Sequence, residues 1–521
     1  MTATRRQRLA LYATSVSQAM ILLDLTIVNV ALPSIQHDLH LDSGDLEWVI
    51  SAYALSLAAL IPLGGTLGDR FGRKRIFLAG LVVFTLASAA CALSGSAEAL
   101  IACRVVQGIG GAVMSALTLS ILSEAYPADS RARAIGIWSA IASLGFGLGP
   151  VVGGLLLARY SWSSVFWVNV PIGAVGVIVT LVGVTESKDP VPRRFDGFGA
   201  LLSAVGLAGV TFGFVEAADR SFSSPVVLAP IAIGVVLLIG FVGWEYRTPS
   251  PMVPPALLRQ GAFGTAVTVY FLVDLALASV MFFATLLFQD VRGWTALQTG
   301  LSWLAMNVPF MVAAQCSGTL HRRFTSTAVA LAGCLLATAG VTGLSFFTVT
   351  TPVGVVLAGY AVMGLGYGLL MPAITNVAMS RVPVGASGVA AGVLNTSRQV
   401  GTSVGLGVVG FIGVSAATRA WVGSLTDLPV ADRSTAEGLA HQVAGGGVTG
   451  AAAQLGSSAR SLAVQAFAHG YQVAILSCAV ALAAAAAVSA LHLRAAHADR
   501  SNREASAAIS CAAQASDFGY R

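Results

Sequence analysis

Of the 521 residues, 56% are hydrophobic and 10% charged, and the mean hydropathy is +0.80. This balance excludes a soluble globular domain and describes a polytopic membrane protein. The net charge of +6 requires no nucleic-acid partner, because the excess Lys and Arg collect on one side of the membrane connections.

Segments long enough to span a bilayer recur at about 9–34, 46–68, 76–96, 98–122, 134–158, 165–185, 197–217, 225–245, 263–288, 297–317, 327–348, 353–378, 386–414 and 466–493, fourteen in all. On one face of this layout fall Arg5, Arg6, Arg8, Arg70, Arg73, Lys74, Arg75, Arg131, Arg133, Lys188, Arg193, Arg194, Arg247, Arg259, Arg322, Arg323, Arg381 and the tail from Arg494. Only Arg159, Arg220, Arg292, Arg419, Arg433 and Arg460 stand opposite, so both termini are expected in the cytoplasm. Six scattered cysteines without a C-x-x-C pair suggest neither a disulfide framework nor a zinc site.

The first segment, Leu9–Ser34, is centred on Asp24. A charged Asp in mid-span costs about 2.5 to 3.5 kcal/mol, so such a residue usually faces protein and marks an ion, proton or substrate path. Ala13, Ser17, Asp24 and Ala31 share one helix face, expected to pack against protein. Gln18, Thr26 and Asn29 lie on other sides, so protein or water is expected in more than one direction. A purely structural carboxylate bracing a neighbouring helix is the alternative. His37, Asp38, His40 and Asp42 in the first external connection resemble metal ligands only superficially, because no further ligands follow at zinc-site spacing.

Between the second and third segments, Gly64–Phe77 reads GGTLGDRFGRKRIF. Gly65, Gly68 and Gly72 allow a tight turn, and Asp69 sits among Arg70, Arg73, Lys74 and Arg75. Gly65, Leu67, Asp69, Arg70, Gly72, Arg73 and Lys74 closely match the cytoplasmic signature of the major facilitator superfamily. The resemblance implies a latch in which Asp69 and its basic neighbours hold two halves together in one state and release them in another.

In the fourth segment Arg104 heads a small, polar face with Gly108, Gly111, Ser115 and Thr118. An arginine there requires a carboxylate or a water-filled cavity. Arg104, Gln107 and Gly108 resemble a second facilitator motif, whose arginine is associated with proton transfer. In the fifth segment, GFGLGPVVGG places Gly145, Gly149 and Gly153 on one close-packing face, with Gly154 beside it and Pro150 favouring a kink. This string looks like the motif of the antiporter branch, which points to export, and the glycine face is the expected hinge. The aromatics from Trp162 to Trp167, followed by Asn169 and Pro171, fit the same branch.

Segments 197–217 and 225–245 stand between two sets of six. With LDLTIVNVALP around Asp24, they make the chain similar to the fourteen-helix drug:proton antiporter family over nearly its whole length. GTLGDRF at Gly65–Phe71 recurs as GTLHRRF at Gly318–Phe324, as expected of duplicated halves. Arg322 replaces Asp69 in the second copy, so the acidic latch role does not transfer.

The ninth segment carries a second intramembrane acid, Asp274, one turn after Tyr270, with Gln289 and Asp290 at the external exit. In the thirteenth, Asn395, Arg398, Gln399 and Thr402 form one polar face, which also resembles the family's N-t-x-R-q-x-G pattern. Burial favours a neutral carboxyl group and a neighbouring guanidinium favours an ionised one, so Arg104 or Arg398 could switch Asp24 or Asp274 between holding and releasing a proton.

The expected architecture is an all-α facilitator fold. Residues 1–190 form one six-helix bundle, 191–260 two additional helices with linkers, and 261–494 a second bundle carrying a long external segment at 415–465, by default a flexible loop, with partly helical or re-entrant structure as the alternatives. Residues 495–521 are expected to be a disordered cytoplasmic tail. The chain has two lysines, Lys74 and Lys188, and neither stands in a P-loop, so no nucleotide cofactor is expected and an ion gradient would supply the energy. The expected function is proton-coupled export of small amphipathic drugs or antibiotics by a monomer in a bacterial plasma membrane, with antibiotic self-resistance as a setting. Asp24 and Asp274 are expected to share a cavity and carry protons or substrate. Uptake of a small metabolite and a membrane sensor on a transporter fold are the alternatives. No nucleophile–base or metal constellation suggests an enzyme.

Overall fold

The computed structural model describes residues 4–188, 196–219, 224–249, 251, 261–320, 323–379, 382, 387–425, 433–448, 455 and 457–517. Arg193, Arg194, Arg220, Arg259, Arg322 and Arg381 lie outside them. Every regular element among the described residues is helical.

The first half comprises α1 (Arg5–Leu39), α2 (Ser43–Phe71), α3 (Arg73–Ala92), α4 (Ala97–Ala125), α5 (Ala128–Leu157), the short α6 (Ser164–Trp167) and α7 (Asn169–Gly183). Next come α8 (Gly197–Asp219) and α9 (Pro225–Glu245). The second half comprises α10 (Gly261–Leu286) with a π turn at Leu287–Val291, α11 (Ala296–Ser302), α12 (Leu304–Leu320), α13 (Ser326–Leu344), α14 (Val353–Met379), α15 (Ser387–Ser424), α16 (Arg433–Gly438), α17 (Ala440–Ala444) and α18 (Ser457–Asp517).

Local chemistry sets several boundaries. Thr4 and Gln7 form a capping box at the start of α1, and His40 closes it in the left-handed region with φ 54°. Asp42 caps α2 by accepting from the Asp45 amide at 2.8 Å. The first-connection cluster is thus largely explained by helix ends, and His37 is exposed beside Asp38.

Within the first half α2 packs on α4, α1 on α5, and α3 on α4 and α7. Within the second, α12 and α13 pack on α14, and α10 on α15 and α18. The halves meet along α2 with α15 and α5 with α11, with a lesser contact of α1 on α10. Helix α8 lies against both α2 and α15, so the additional pair is attached at the seam. Asp196 fastens this pair by accepting from the α8 amide of Gly199 and the Trp244 indole, each at 2.8 Å. The outer face of α9 presents Val236, Ile239 and Val242, apolar and exposed as lipid contact requires.

Twelve described helices are long and apolar enough to cross a membrane. The predicted segments 134–158 and 297–317 are also helical: the former contains the apolar stretch Leu144–Leu157, and the latter is divided between α11 and the 17-residue α12.

Segment 415–465 takes the partly helical alternative rather than the default of a flexible loop. Helix α15 continues to Ser424, the buried Trp421 donates its indole N–H to the Ala436 carbonyl of α16 at 2.7 Å, and Ala440, Val443 and Ala444 of α17 are buried. These few apolar side chains give a Gly- and Ala-rich stretch something to bury, while its residues 426–432 and 449–454 lie outside the description. Helix α18 runs on to Asp517, through residues assigned from sequence to the cytoplasmic tail, in keeping with the high helix propensity of its repeated alanines.

Candidate functional site

A cavity between the halves is lined from the first by Gln18, Ile21, Leu22, Leu25, Thr26 and Asn29 of α1, Ile50 and Leu57 of α2, Ser115 of α4 and Phe146 of α5. The second half contributes Asp274, Leu277, Ala278 and Met281 of α10, and Asn395, Arg398, Gln399 and Thr402 of α15. The space, open mouth included, is about 680 Å³. All four residues of the polar α15 face line it, as do the α1 residues that point away from Asp24.

Asp274 and Arg398 form a loose pair on this wall. The guanidinium Nε donates to both carboxylate oxygens at 3.3 and 3.2 Å, and Nη2 donates at 3.3 Å. These bonds are longer than the 2.7–2.9 Å typical of charge-assisted ones. The Arg398 side chain remains 34% exposed and that of Asp274 8%. The Tyr270 ring lies 5.7 Å from the guanidinium, and its hydroxyl bonds Thr375.

Asp24 does not line the cavity, which corrects the expectation of a shared space. It points into the first bundle, where Arg104 pairs directly with its Oδ2 while Gln107 and Asn169 donate to its Oδ1 at 2.9 and 2.8 Å. Arg104 also donates to the Val49 carbonyl at 3.0 Å and to Gln107 at 2.8 Å, with its guanidinium 4.1 Å from the centre of the Tyr53 ring. Neither charged side chain is more than 1% exposed. The one-turn separation of Arg104 and Gln107 on α4 turns both toward the same carboxylate.

The glycines of α5 serve two contacts. Gly145, Gly149 and Gly153 face α1, where a β-carbon would collide with Ala19, Thr26 or Ile27. Gly154 and Pro150 face α11: Gly154 lies against Leu297, and Gly300 against the Pro150 carbonyl. Asn307 then donates to the Gly147 carbonyl across the halves at 3.0 Å. The expected hinge face is therefore wedged between the first helix and the opposite half. Gly300, which periodicity did not single out, is the other side of that crossing.

Further bridges stand at the end opposite the basic connections. Gln289 donates to the Val30 carbonyl at 2.9 Å, Ser403 to the Ser51 carbonyl at 3.4 Å, and the Glu47 carboxylate lies against Gly410. Glu47 is fully buried and was not recognised from sequence, where it merely adjoins Trp48. Asp290 is also inward: one carboxylate oxygen is buried without a hydrogen-bond partner, beside Gly446 of the returning segment.

Among the described residues the basic signature makes contacts within the first half. Arg73 donates to Asp69 at 2.8 Å and lies 3.6 Å from Glu124 of α4. Gly72 has φ 109°, a conformation that favours glycine, and a β-carbon there would collide with the Glu186 carboxylate. That carboxylate accepts from the Lys74 amide at 3.0 Å and lies 3.6 Å from Arg75. Gly65 has open space around it, and Arg70 is exposed over Phe71. Among the described residues Asp69 meets Arg73 of its own half, while Gln289–Val30 and Ser403–Ser51 join the halves toward the opposite end.

A protein-family model described as Major Facilitator Superfamily matches residues 14–406. The chain belongs to this superfamily. Facilitator relatives of clear sequence similarity include the multidrug resistance protein Stp of Mycobacterium tuberculosis, 37% identical over 78% of this chain and 76% of the relative. The tetracenomycin C resistance and export protein of Streptomyces glaucescens is 33% identical over 77% and 75% of the two chains. The methylenomycin A resistance protein of Streptomyces coelicolor is 37% identical over 75% and 83%. Among solved facilitators, a bacterial homologue of the human lysosomal transporter Spinster, inward-facing and unoccupied, shares the fold with TM-score 0.64 at 18% identity, covering 95% and 98% of the chains. The chain is therefore a multi-pass membrane transporter of this superfamily, helical in every regular element among the described residues.

Proposed function

We propose that this facilitator exports small amphipathic drugs or antibiotics in exchange for protons, by alternating access of the cavity between its halves. The observation that carries the proposal is the loose Asp274–Arg398 pair on the cavity wall. When Asp274 is ionised it holds Arg398 against α10 and leaves the cavity clear. A proton on Asp274 removes that attraction and frees the guanidinium to swing into the space the substrate would fill. Proton and substrate then exclude one another, which is the requirement for exchange. Asp24 and Arg104 act as the rigid strut of the first half in this scheme, Gly145–Gly154 as the surface on which the halves rock, and Asp69 with Arg70, Arg73 and Gly65–Gly72 as the latch of the opposite state.

With both termini cytoplasmic and fourteen spans, the cavity would face the cytoplasm in this conformation. No cofactor is required: moving one charge across 100 mV releases about 2.3 kcal/mol, to which a pH gradient adds. The resistance and export roles for which the relatives are named support a drug or antibiotic as cargo and resistance of the host as the biological outcome. A single chain contains both halves of the pathway, so the working unit is taken as a monomer.

The test is substrate movement into inverted vesicles driven by an imposed pH gradient. Asp274→Asn, which fixes this side chain in its uncharged form, is expected to reduce gradient-driven movement at least tenfold and to weaken substrate binding, because Arg398 is then free to occupy the cavity. Undiminished gradient-driven movement in that variant would overturn the coupling role.

A further inference from the structure

Asp274 and Arg398 are the only charged side chains among the described residues lining the cavity, and they neutralise each other. A cation would have to take Asp274 from Arg398, and an anion would have to take Arg398 from Asp274. Either exchange leaves a charge stranded when the halves seal and water is expelled, which is costly in a low-dielectric interior. Phe146 is the only aromatic ring among the described lining residues, so no cage of π faces compensates a cation. The polar capacity lies instead in carboxamides, Gln18 and Asn29 on one wall and Asn395 and Gln399 on the other.

Gln18 is the informative member. It is 8% exposed, lines the cavity from α1, and its carboxamide oxygen has no hydrogen-bond partner. A buried acceptor left in that condition is unfavourable, and a donor arriving with the cargo relieves it. Asn29 differs, since its amide group already donates to the Leu25 carbonyl at 2.9 Å.

We propose that the cavity selects amphipathic molecules of zero net charge bearing a hydroxyl or amide N–H. That group donates to Gln18 Oε1, and the apolar body lies on Phe146, Leu277 and Met281. This assignment rests on the export reading and specifies its cargo.

The experiment expresses the full chain, Gln18→Leu and Gln18→Asn in an efflux-deficient bacterial host, with membrane levels matched by immunoblot. Growth inhibition is measured for uncharged antibiotics carrying hydroxyl and amide groups, chloramphenicol among them, and for the permanent cations tetraphenylphosphonium and ethidium. Expected are a fourfold or larger rise in inhibitory concentration for uncharged compounds and less than twofold for the cations. Gln18→Leu should remove the protection and raise the apparent KM in vesicles with kcat little changed, whereas Gln18→Asn should restore part of it. Equal or stronger protection against the cations, or unchanged export of uncharged compounds by Gln18→Leu, overturns the assignment while leaving drug export intact. Failure to move any compound of any charge removes both.

Discussion

Each half pairs the aspartate of its first helix with an arginine, from α4 in the first half and from α15 in the second, and the surroundings of the two pairs differ. Asp24 and Arg104 are sealed, with the carboxylate receiving from Arg104, Gln107 and Asn169 and the guanidinium stacked on Tyr53. Asp274 and Arg398 meet through longer bonds on a cavity wall, with about a third of the arginine side chain exposed. Identical charges thus serve different ends. A fully bonded ion pair without access to water has no route by which a proton can enter in this conformation, whereas a loose pair beside a cavity has one. Chemistry is expected from the pair that packing has left incomplete.

The largest effect should come from breaking the sealed pair. Arg104→Ala leaves the Asp24 carboxylate buried without its counter-ion, and such a loss typically costs about 3–5 kcal/mol. The purified variant is expected to show a strongly lowered unfolding temperature in detergent or to fail to accumulate. Near wild-type stability would mean that Asp24 is neutral in the folded chain and that the two pairs are less different than their geometry indicates.

Asn169 offers a finer probe of the same network, because it ties α7 to both Asp24 and Ser88. Asn169→Leu removes a hydrogen bond to a charged group, worth about 1.5–3 kcal/mol, without altering the cavity wall. Thermal unfolding should fall accordingly, with drug affinity in vesicles unchanged within twofold. A selective loss of affinity would place Asp24 on the substrate path.

The seam tests whether the second pair's exposure depends on how the halves meet. A β-carbon at Gly300 would collide with the Pro150 carbonyl, backbone against backbone, so it cannot be absorbed by rotating a side chain. Gly300→Ala should destabilise the sealed arrangement by about 1–3 kcal/mol, the usual cost of overpacking. Hydrogen exchange should quicken in the α10 peptide carrying Asp274 and remain slow in the α1 peptide carrying Asp24. Equal quickening in both would show that the first network is not independent of the seam.

Much of this contrast was legible before any coordinates, and the remainder was not for definite reasons. Helical periodicity separated the Asp24 face of α1 from Gln18, Thr26 and Asn29, and it grouped Asn395, Arg398, Gln399 and Thr402; these are properties of single helices. Which arginine meets which aspartate depends on packing between helices 80 and 124 positions apart, which periodicity does not encode. Glu47 escaped notice because its burial comes from Gly410 in the other half. Gly300 is one glycine among 57 until Pro150 is seen against it. The stretch after Ser424 looked like loop because its few anchoring apolar residues are diluted by glycine and alanine.

The smallest stability effect, and the sharpest separation of the pairs, is expected from Arg398→Ala. The pair is loosely bonded and its arginine a third exposed, so water can reach Asp274 once the guanidinium is gone and unfolding in detergent should move less than in Arg104→Ala. In vesicles the same variant should lose coupling: with no guanidinium to hold or release, protonating Asp274 no longer changes the space available to substrate. Proton movement and drug movement should then become independent, seen as drug equilibration at a rate insensitive to the pH gradient. If Arg398→Ala instead unfolds the protein as readily as Arg104→Ala, the second pair is also a strut, and the proton must be held elsewhere, with the buried acids Glu47 and Asp290 next to be tested.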